Sequence, residues 1–285
     1  MEKFQLKFCK GLLGVHPKAH NGAVMGELGR LPLFIQIMKS TLKYIIHLND
    51  VKIDRPLLNA AILEDDNLCI SKSWRKRVEK IVTFFQCNIN KLPDTRCIYE
   101  LIKNMKASYL DNWRKLLGDE SSQEGKLYLY RRIKSYFGME PYLRQIKKLK
   151  FRRAMTAFRL SAHNLEIETG RYVYDRTLSG KKCFIKREDR FCTFCYDEFK
   201  YKVMGDEMHA ILNCPRFHDV RKRLFVRIEL LVPNIKELTD NDKLCYLLSS
   251  EDECARLFCR FLGVVLSAQR SNFVKLWRQL NNPVG

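Results

Sequence analysis

The chain has 285 residues, 46% of them hydrophobic and 11% aromatic. That is enough apolar material for one large core or two small ones, which excludes a chain disordered throughout. Its 52 Lys and Arg against 32 Asp and Glu leave a net charge of +20, a surplus that points to a polyanionic partner, nucleic acid ahead of an anionic membrane surface.

In chain order the pattern is helical. Met1 opens onto an amphipathic stretch without a hydrophobic leader, so no secretion is expected. The most apolar early run, Leu31 to Leu48, is interrupted by Lys39 and Lys43 and is too polar for a good membrane span. Its Ile35, Met38, Leu42, Ile45 and Ile46 fall at helical spacing. From Asp94, a suitable cap, to Leu117 the residues Ile98, Leu101, Ile102, Met105, Tyr109, Trp113 and Leu116 repeat that spacing. Gly118 to Ser122 breaks the helix. Another helix is expected from about Glu124 to Phe137 and, past Pro141, a basic stretch from Leu143 to Arg153. Periodicity fades between Arg171 and Arg190, where Tyr172–Tyr174 and Cys183–Ile185 suit short strands. Pro215 suits a helix start, with Phe217, Val220, Leu224, Ile228 and Leu231 on one face. A last helix is expected from about Glu251 to Leu280, with Phe258, Phe261, Leu262, Val265, Phe273, Trp277 and Leu280 as its apolar stripe.

The 11 cysteines are odd in number and scattered, which favours a reducing compartment, nucleus or cytoplasm, over a disulfide framework. Four residues stand out. Cys192 and Cys195 form a C-x-x-C pair, followed by His209 and Cys214, a C-x2-C-x13-H-x4-C pattern. Two cysteines in a tight turn can reach one ion, and a His and a Cys at the ends of a short helix can close the tetrahedron. Thiolate and imidazole are ligands that zinc prefers, and four of them leave no open position, which suggests one structural zinc. In comparable small sites the metal contributes on the order of 10 kcal/mol to folding. His218 is a rival for His209, and Cys183 a remoter one for a ligand position. Alternatively, the four pack separately as small buried residues.

Basic clusters flank this motif. Arg144, Lys147, Lys148, Lys150, Arg152 and Arg153 form one, and if helical, Arg144, Lys147 and Lys148 share a face. Lys181, Lys182, Lys186, Arg187 and Arg190 precede the motif, and Arg216, Arg221, Lys222 and Arg223 follow it. Such clusters read phosphates through charge. Arg144, Lys147, Lys148, Arg152, Arg153, Lys186, Arg187, Arg190 and Arg216 are the expected nucleic-acid contacts. Phe194, Tyr196, Phe199 and Tyr201 could stack on unpaired bases or fill the small core of the module. No catalytic constellation is evident. The adjacent Asp65 and Asp66 fall at the end of a helical stretch, without the strand context of a polymerase metal site. No Gly-rich phosphate loop, nucleophile elbow or deaminase motif occurs.

Gly26-Glu-Leu-Gly-Arg-Leu-Pro-Leu33, preceded by Leu12-Leu-Gly-Val15, resembles a segment found downstream of the polymerase domain in non-LTR (long interspersed type) retrotransposon proteins. Phe158-Arg-Leu-Ser-Ala-His163 with Ile167-Glu-Thr-Gly-Arg171 resembles the lead-in to their zinc motif. Gly205-Asp-Glu-x-His209 and Cys214-Pro-Arg-Phe217 resemble its ending. The resemblance covers roughly residues 8 to 230. It implies the non-catalytic C-terminal part of a reverse transcriptase, a helical thumb or linker followed by a Cys-Cys-His-Cys module that grips template RNA or target DNA. The polymerase and endonuclease motifs are missing, so a fragment or relic is expected. The expected fold is mainly α: a helical linker or thumb-like region over 1–140, a basic lead-in over 141–190, the zinc module and following helix over 191–232, and a helical segment over 233–285. The alternative is a protein-interaction module with architectural zinc, whose last helix docks on an upstream polymerase domain or on a second copy.

Overall fold

The computed structural model describes residues 2–51, 54–85, 95–118, 125–172, 174–176 and 182–268. The fold is mainly α. Among the described residues no helix is long and apolar enough to cross a membrane. Two compact units divide the chain, one of Met1–Gln5 with Arg30–Leu116, the other of Leu6–Gly29 with Leu117–Gly285. The expected boundary at 140 therefore lies inside the second unit. Helix α1 (Glu2–Leu13) runs across the first division, and α2 (Asn21–Glu27) belongs to the second unit.

The first unit is built on α3 (Leu33–Val51), α4 (Pro56–Asn67), α5 (Trp74–Phe84) and α6 (Thr95–Leu117). The helical spacing of Ile35, Met38, Leu42 and Ile45 meets Val78 and Val82 of α5 and Ile98, Leu101, Ile102 and Met105 of α6 in one core. The expected Asp94 cap lies outside the described residues. The Asp65–Asp66 pair sits at the end of α4, as its sequence context suggests. Asp65 accepts hydrogen bonds from Ser73 Oγ (2.9 Å), Trp74 N (3.0 Å) and Arg75 N (3.1 Å), and Asp66 pairs with Arg75 at 3.3 Å. Both carboxylates are occupied in joining α4 to α5.

The second unit contains α7 (Tyr128–Ile133), α8 (Tyr142–Gln145), α9 (Leu149–Arg159), α10 (Glu166–Thr169), an antiparallel hairpin of β1 (Tyr174–Arg176) and β2 (Lys182–Phe184), α11 (Thr193–Phe199), α12 (His218–Leu231), α13 (Asp240–Ser249) and α14 (Asp252–Ala268). Two expectations are corrected here. The helix expected over 124–137 is reduced to α7, because the backbone turns extended at Lys134 and sends its buried ammonium to Glu140 and to Gly138 O. The basic stretch is not one helix. Ile146 is buried in an extended conformation between α8 and α9, so Arg144 and the Lys147–Lys148 pair do not share a helical face. In α14 the residues Phe258, Phe261, Leu262 and Val265 are buried in the unit's own core, which removes them as a docking surface. Phe273, Trp277 and Leu280 lie outside the described residues.

A buried ion network ties the two chain segments of this unit together. Glu27 and Arg159 are both fully buried, and Arg159 Nε donates to Glu27 Oε1 at 2.6 Å. The same guanidinium reaches Glu140 Oε2 (2.6 Å) and Leu248 O (2.6 Å), and Tyr142 Oη donates to Glu27 Oε1 at 2.7 Å. Burial and the negative charge of Glu27 raise the Tyr142 hydroxyl well above its ordinary pKa. Backbone pairing of Leu28 with Met139 and a Glu140 N to Glu27 O bond (3.1 Å) hold the segments in register. Gly29, at φ +59°, is needed there, since a Cβ would run into Met139 N.

Candidate metal centre

The elements that carry the C-x-x-C pair are short and held from several sides. Phe191 pairs with Met204, Cys192 N donates to Val203 O (2.7 Å) and Gly205 N to Arg190 O (2.9 Å). These bonds clamp the two ends of a loop that contains α11. Cys192 is the residue before that helix and Cys195 lies in its first turn, where the helix dipole favours a thiolate. Lys200, at φ +59°, ends α11 in the left-handed conformation and lets the chain return. Gly205 is required by close approach: a Cβ would lie 2.6 Å from Glu166 Oε2 and 3.1 Å from Cys192 N.

The other two ligands close a different kind of turn. His209 to Asn213 is a π-helical turn, and Cys214 N donates to His209 O at 2.6 Å. A five-residue spacing closed by that bond brings Cys214 back beside His209. Asp206 Oδ1 accepts His209 N (2.8 Å) and caps the turn, and Pro215 ends it.

The result is a buried cluster. One ligand atom from each of Cys192, Cys195, His209 and Cys214 lies within 4.8 Å of all the others, and Cys195 Sγ is 3.3 Å from His209 Nε2. A tetrahedral ion bound by thiolates and imidazole has ligand–ligand edges of about 3.5–3.8 Å, so these four residues fit a metal ion. Their electrostatics point the same way. Hydrogen bonding from Cys214 holds the Cys192 thiol at about 4, burial pushes Cys195 up to about 11, and Cys214, bonded to Cys192, is pushed higher still. Three thiols this close oppose one another's ionisation, a repulsion that a bound cation would relieve.

His218 is exposed and lies beside Arg221 and Phe225, not in the cluster. His209 is therefore the imidazole that the fold brings to the three thiols. The Cys183 side chain lies outside the described residues. Sequence reasoning missed a layer of carboxylates behind the ligands. Glu166 Oε1 accepts Thr193 Oγ1 (2.8 Å) and Thr193 N (3.1 Å), capping α11 from outside, and burial raises its pKa. Glu207 Oε1 accepts from His163 Nε2 (2.9 Å), which fixes the chain two residues before His209. The acidic Asp206–Glu207 pair, one residue short of His209, was the available signal.

The expected basic contacts divide. Arg144, Lys147, Lys148, Arg153, Lys186, Arg187 and Arg216 are exposed. Arg190 is not available: its guanidinium donates to Ile185 O (2.8 and 3.1 Å) and Ile167 O (3.1 Å), bracing the metal loop. Arg152, half-buried, donates to Leu143 O at 3.3 Å. Of the aromatics, Phe199 and Tyr201 are 51% and 45% exposed and stack on one another, centroids 5.8 Å apart at 28°. Phe194 meets Phe199 edge-on, and Arg216 lies over Phe194 at 5.4 Å. Compared with protein-family models, curated proteins and solved structures, the chain matches none of them, so the reading of the centre stands on its own geometry.

Proposed function

We propose that Cys192, Cys195, His209 and Cys214 hold one structural zinc ion, and that the module around it binds nucleic acid, RNA or target DNA, without catalysing a reaction. The observation that carries this is the continuous run Arg216–Phe194–Phe199–Tyr201 on the module's surface, with Lys200 and Lys202 exposed beside it. Aromatic faces beside cations form a platform for unpaired bases and their phosphates. The zinc fixes α11, which carries Phe194 and Phe199, and the His209–Cys214 turn, which Arg216 directly follows. The order of the Gly26–Leu33, Phe158–His163 and Cys192–Cys214 segments supports a place beside the C-terminal regions of non-LTR retrotransposon proteins, in a reducing nuclear or cytoplasmic compartment.

Metal analysis of the purified chain is expected to give about one zinc per chain, lost in Cys195→Ser. Binding to single-stranded RNA is expected to weaken steeply between low and physiological salt, with a log–log slope of about −0.7 for each phosphate neutralised. Zinc-free but folded protein would remove the metal assignment, and salt-independent binding would remove the phosphate contacts.

A further inference from the structure

A second concave site lies in the larger unit, apart from the metal ligands. It is a cavity of about 880 Å³ bounded by α9, α14, the Ser161–Asn164 turn and Tyr172, within the range of about 300–1,000 Å³ typical of small-molecule sites. Its floor is apolar and low, formed by Ala154, Ala157, Gly263 and Leu266. Ala154, Ala157 and Gly263 carry one methyl or no side chain, which leaves room over this floor for a ring. One wall is Tyr172, whose ring lies near-parallel to His16 at 6.3 Å and 26°.

The rim is cationic. Lys150 and Arg153 are exposed at the start of α9 and line the opening, and neither has an acidic partner among the described residues. Gly14, at φ +68°, leaves the space that the Arg153 side chain occupies. Lys126 adds a third charge, fixed by its bond to Tyr172 Oη (2.7 Å) and its pairing with Glu168 (3.5 Å). Glu168 is the acid in the lining, and Arg171 also holds it, at 2.6 Å. The positive potential extends behind the wall. Lys10 and His20 both titrate below their ordinary values, through burial first and then the charge of Lys126.

An apolar slot for a ring, an aromatic wall and unpaired cations at the mouth describe a receptor for a planar group that carries an anion. We propose that this cavity binds one nucleotide unit, its base on the Ala154–Ala157–Gly263 floor against Tyr172 and its phosphate at Lys150 and Arg153. It gives the nucleic-acid reading a second contact, distant in sequence from the zinc ligands, and it is tested independently of that reading. A free nucleotide and a nucleotide of a strand carry the same chemistry.

Titration of the full zinc-loaded chain with adenosine 5′-monophosphate, adenosine, inorganic phosphate and oleate tests it. The monophosphate is expected to bind at least about tenfold more tightly than adenosine or phosphate alone, since one charge-assisted contact is worth that factor. Arg153→Glu, at an exposed position, is expected to weaken it about tenfold or more with zinc content unchanged, and Ala157→Phe to block it by filling the floor. A monophosphate no better than phosphate or adenosine, binding indifferent to Arg153→Glu, or preference for oleate would overturn the proposal. Competition by a 5′-phosphorylated pentanucleotide separates the sources. Displacement of the monophosphate identifies a strand as the ligand, and binding of the monophosphate alone identifies a free nucleotide. Salt-dependent RNA binding without monophosphate binding would sink the cavity alone, and the reverse would sink the zinc module's role alone.

Discussion

At the scale of single residues, the most exacting position is Arg159. Its guanidinium is surrounded by Glu27, Glu140, Tyr142 and Leu248 O, with no water-facing side. Removing one partner of a buried ion pair leaves the others charged and unsatisfied, a loss of about 3–5 kcal/mol. Arg159→Met is expected to destabilise the protein by that amount in urea unfolding, and pairing it with Glu27→Gln should cost less than the sum of the two single changes. Additive costs would show that the two groups do not depend on each other. Nothing in the local sequence announced this pair. Glu27 sits among small and apolar residues 132 positions from its partner, and composition alone reads such a charge as exposed. The metal ligands were legible because their chemistry is written in residue type and short spacing.

At the scale of elements, legibility followed the length of the repeating pattern. The stripes of α3, α6 and α14 were readable because each repeats over several turns, and their described residues are buried or half-buried as the spacing implies, except Leu116, which is exposed while Leu117 is buried in its place. The stretch from Glu124 to Arg153 misled because its breaks are tertiary. Lys134 leaves the helix to meet Glu140, and Ile146 turns inward between two short helices. Aromatic roles were also open in sequence, where stacking and core packing use the same residues. The structure separates them, half-burying Phe194 and Tyr196 and leaving Phe199 and Tyr201 exposed. Phe199→Ala is expected to weaken single-stranded RNA binding by about 1–3 kcal/mol, the worth of one base stack, at unchanged zinc content. A fluorescence-anisotropy titration showing wild-type affinity would assign Phe199 to the scaffold instead.

At the scale of the whole molecule, the two units have separate cores, and Cys192, Cys195 and Cys214 belong to that of the larger one. Chelation should therefore act on one unit. Hydrogen exchange on chelator-treated protein is expected to show lost protection in α9, α12 and α14, with α3 and α6 retaining theirs. Uniform loss would mean that the units fold only together. The larger unit is also discontinuous: Leu6–Gly29 and the chain after Leu116 form one body, and residues 30–116 are an excursion from it. A start codon anywhere between residues 28 and 117 would give a reading frame that retains all four ligands yet lacks Glu27, leaving buried Arg159 and Lys134 to share the one carboxylate of Glu140. Such a shortened product is expected to lack fixed tertiary packing by near-ultraviolet circular dichroism, and a separate peptide of residues 1–29 to restore it. On that expectation the packing around the four ligands, compact as their motif is to read, depends on a segment encoded more than 160 residues upstream of Cys192.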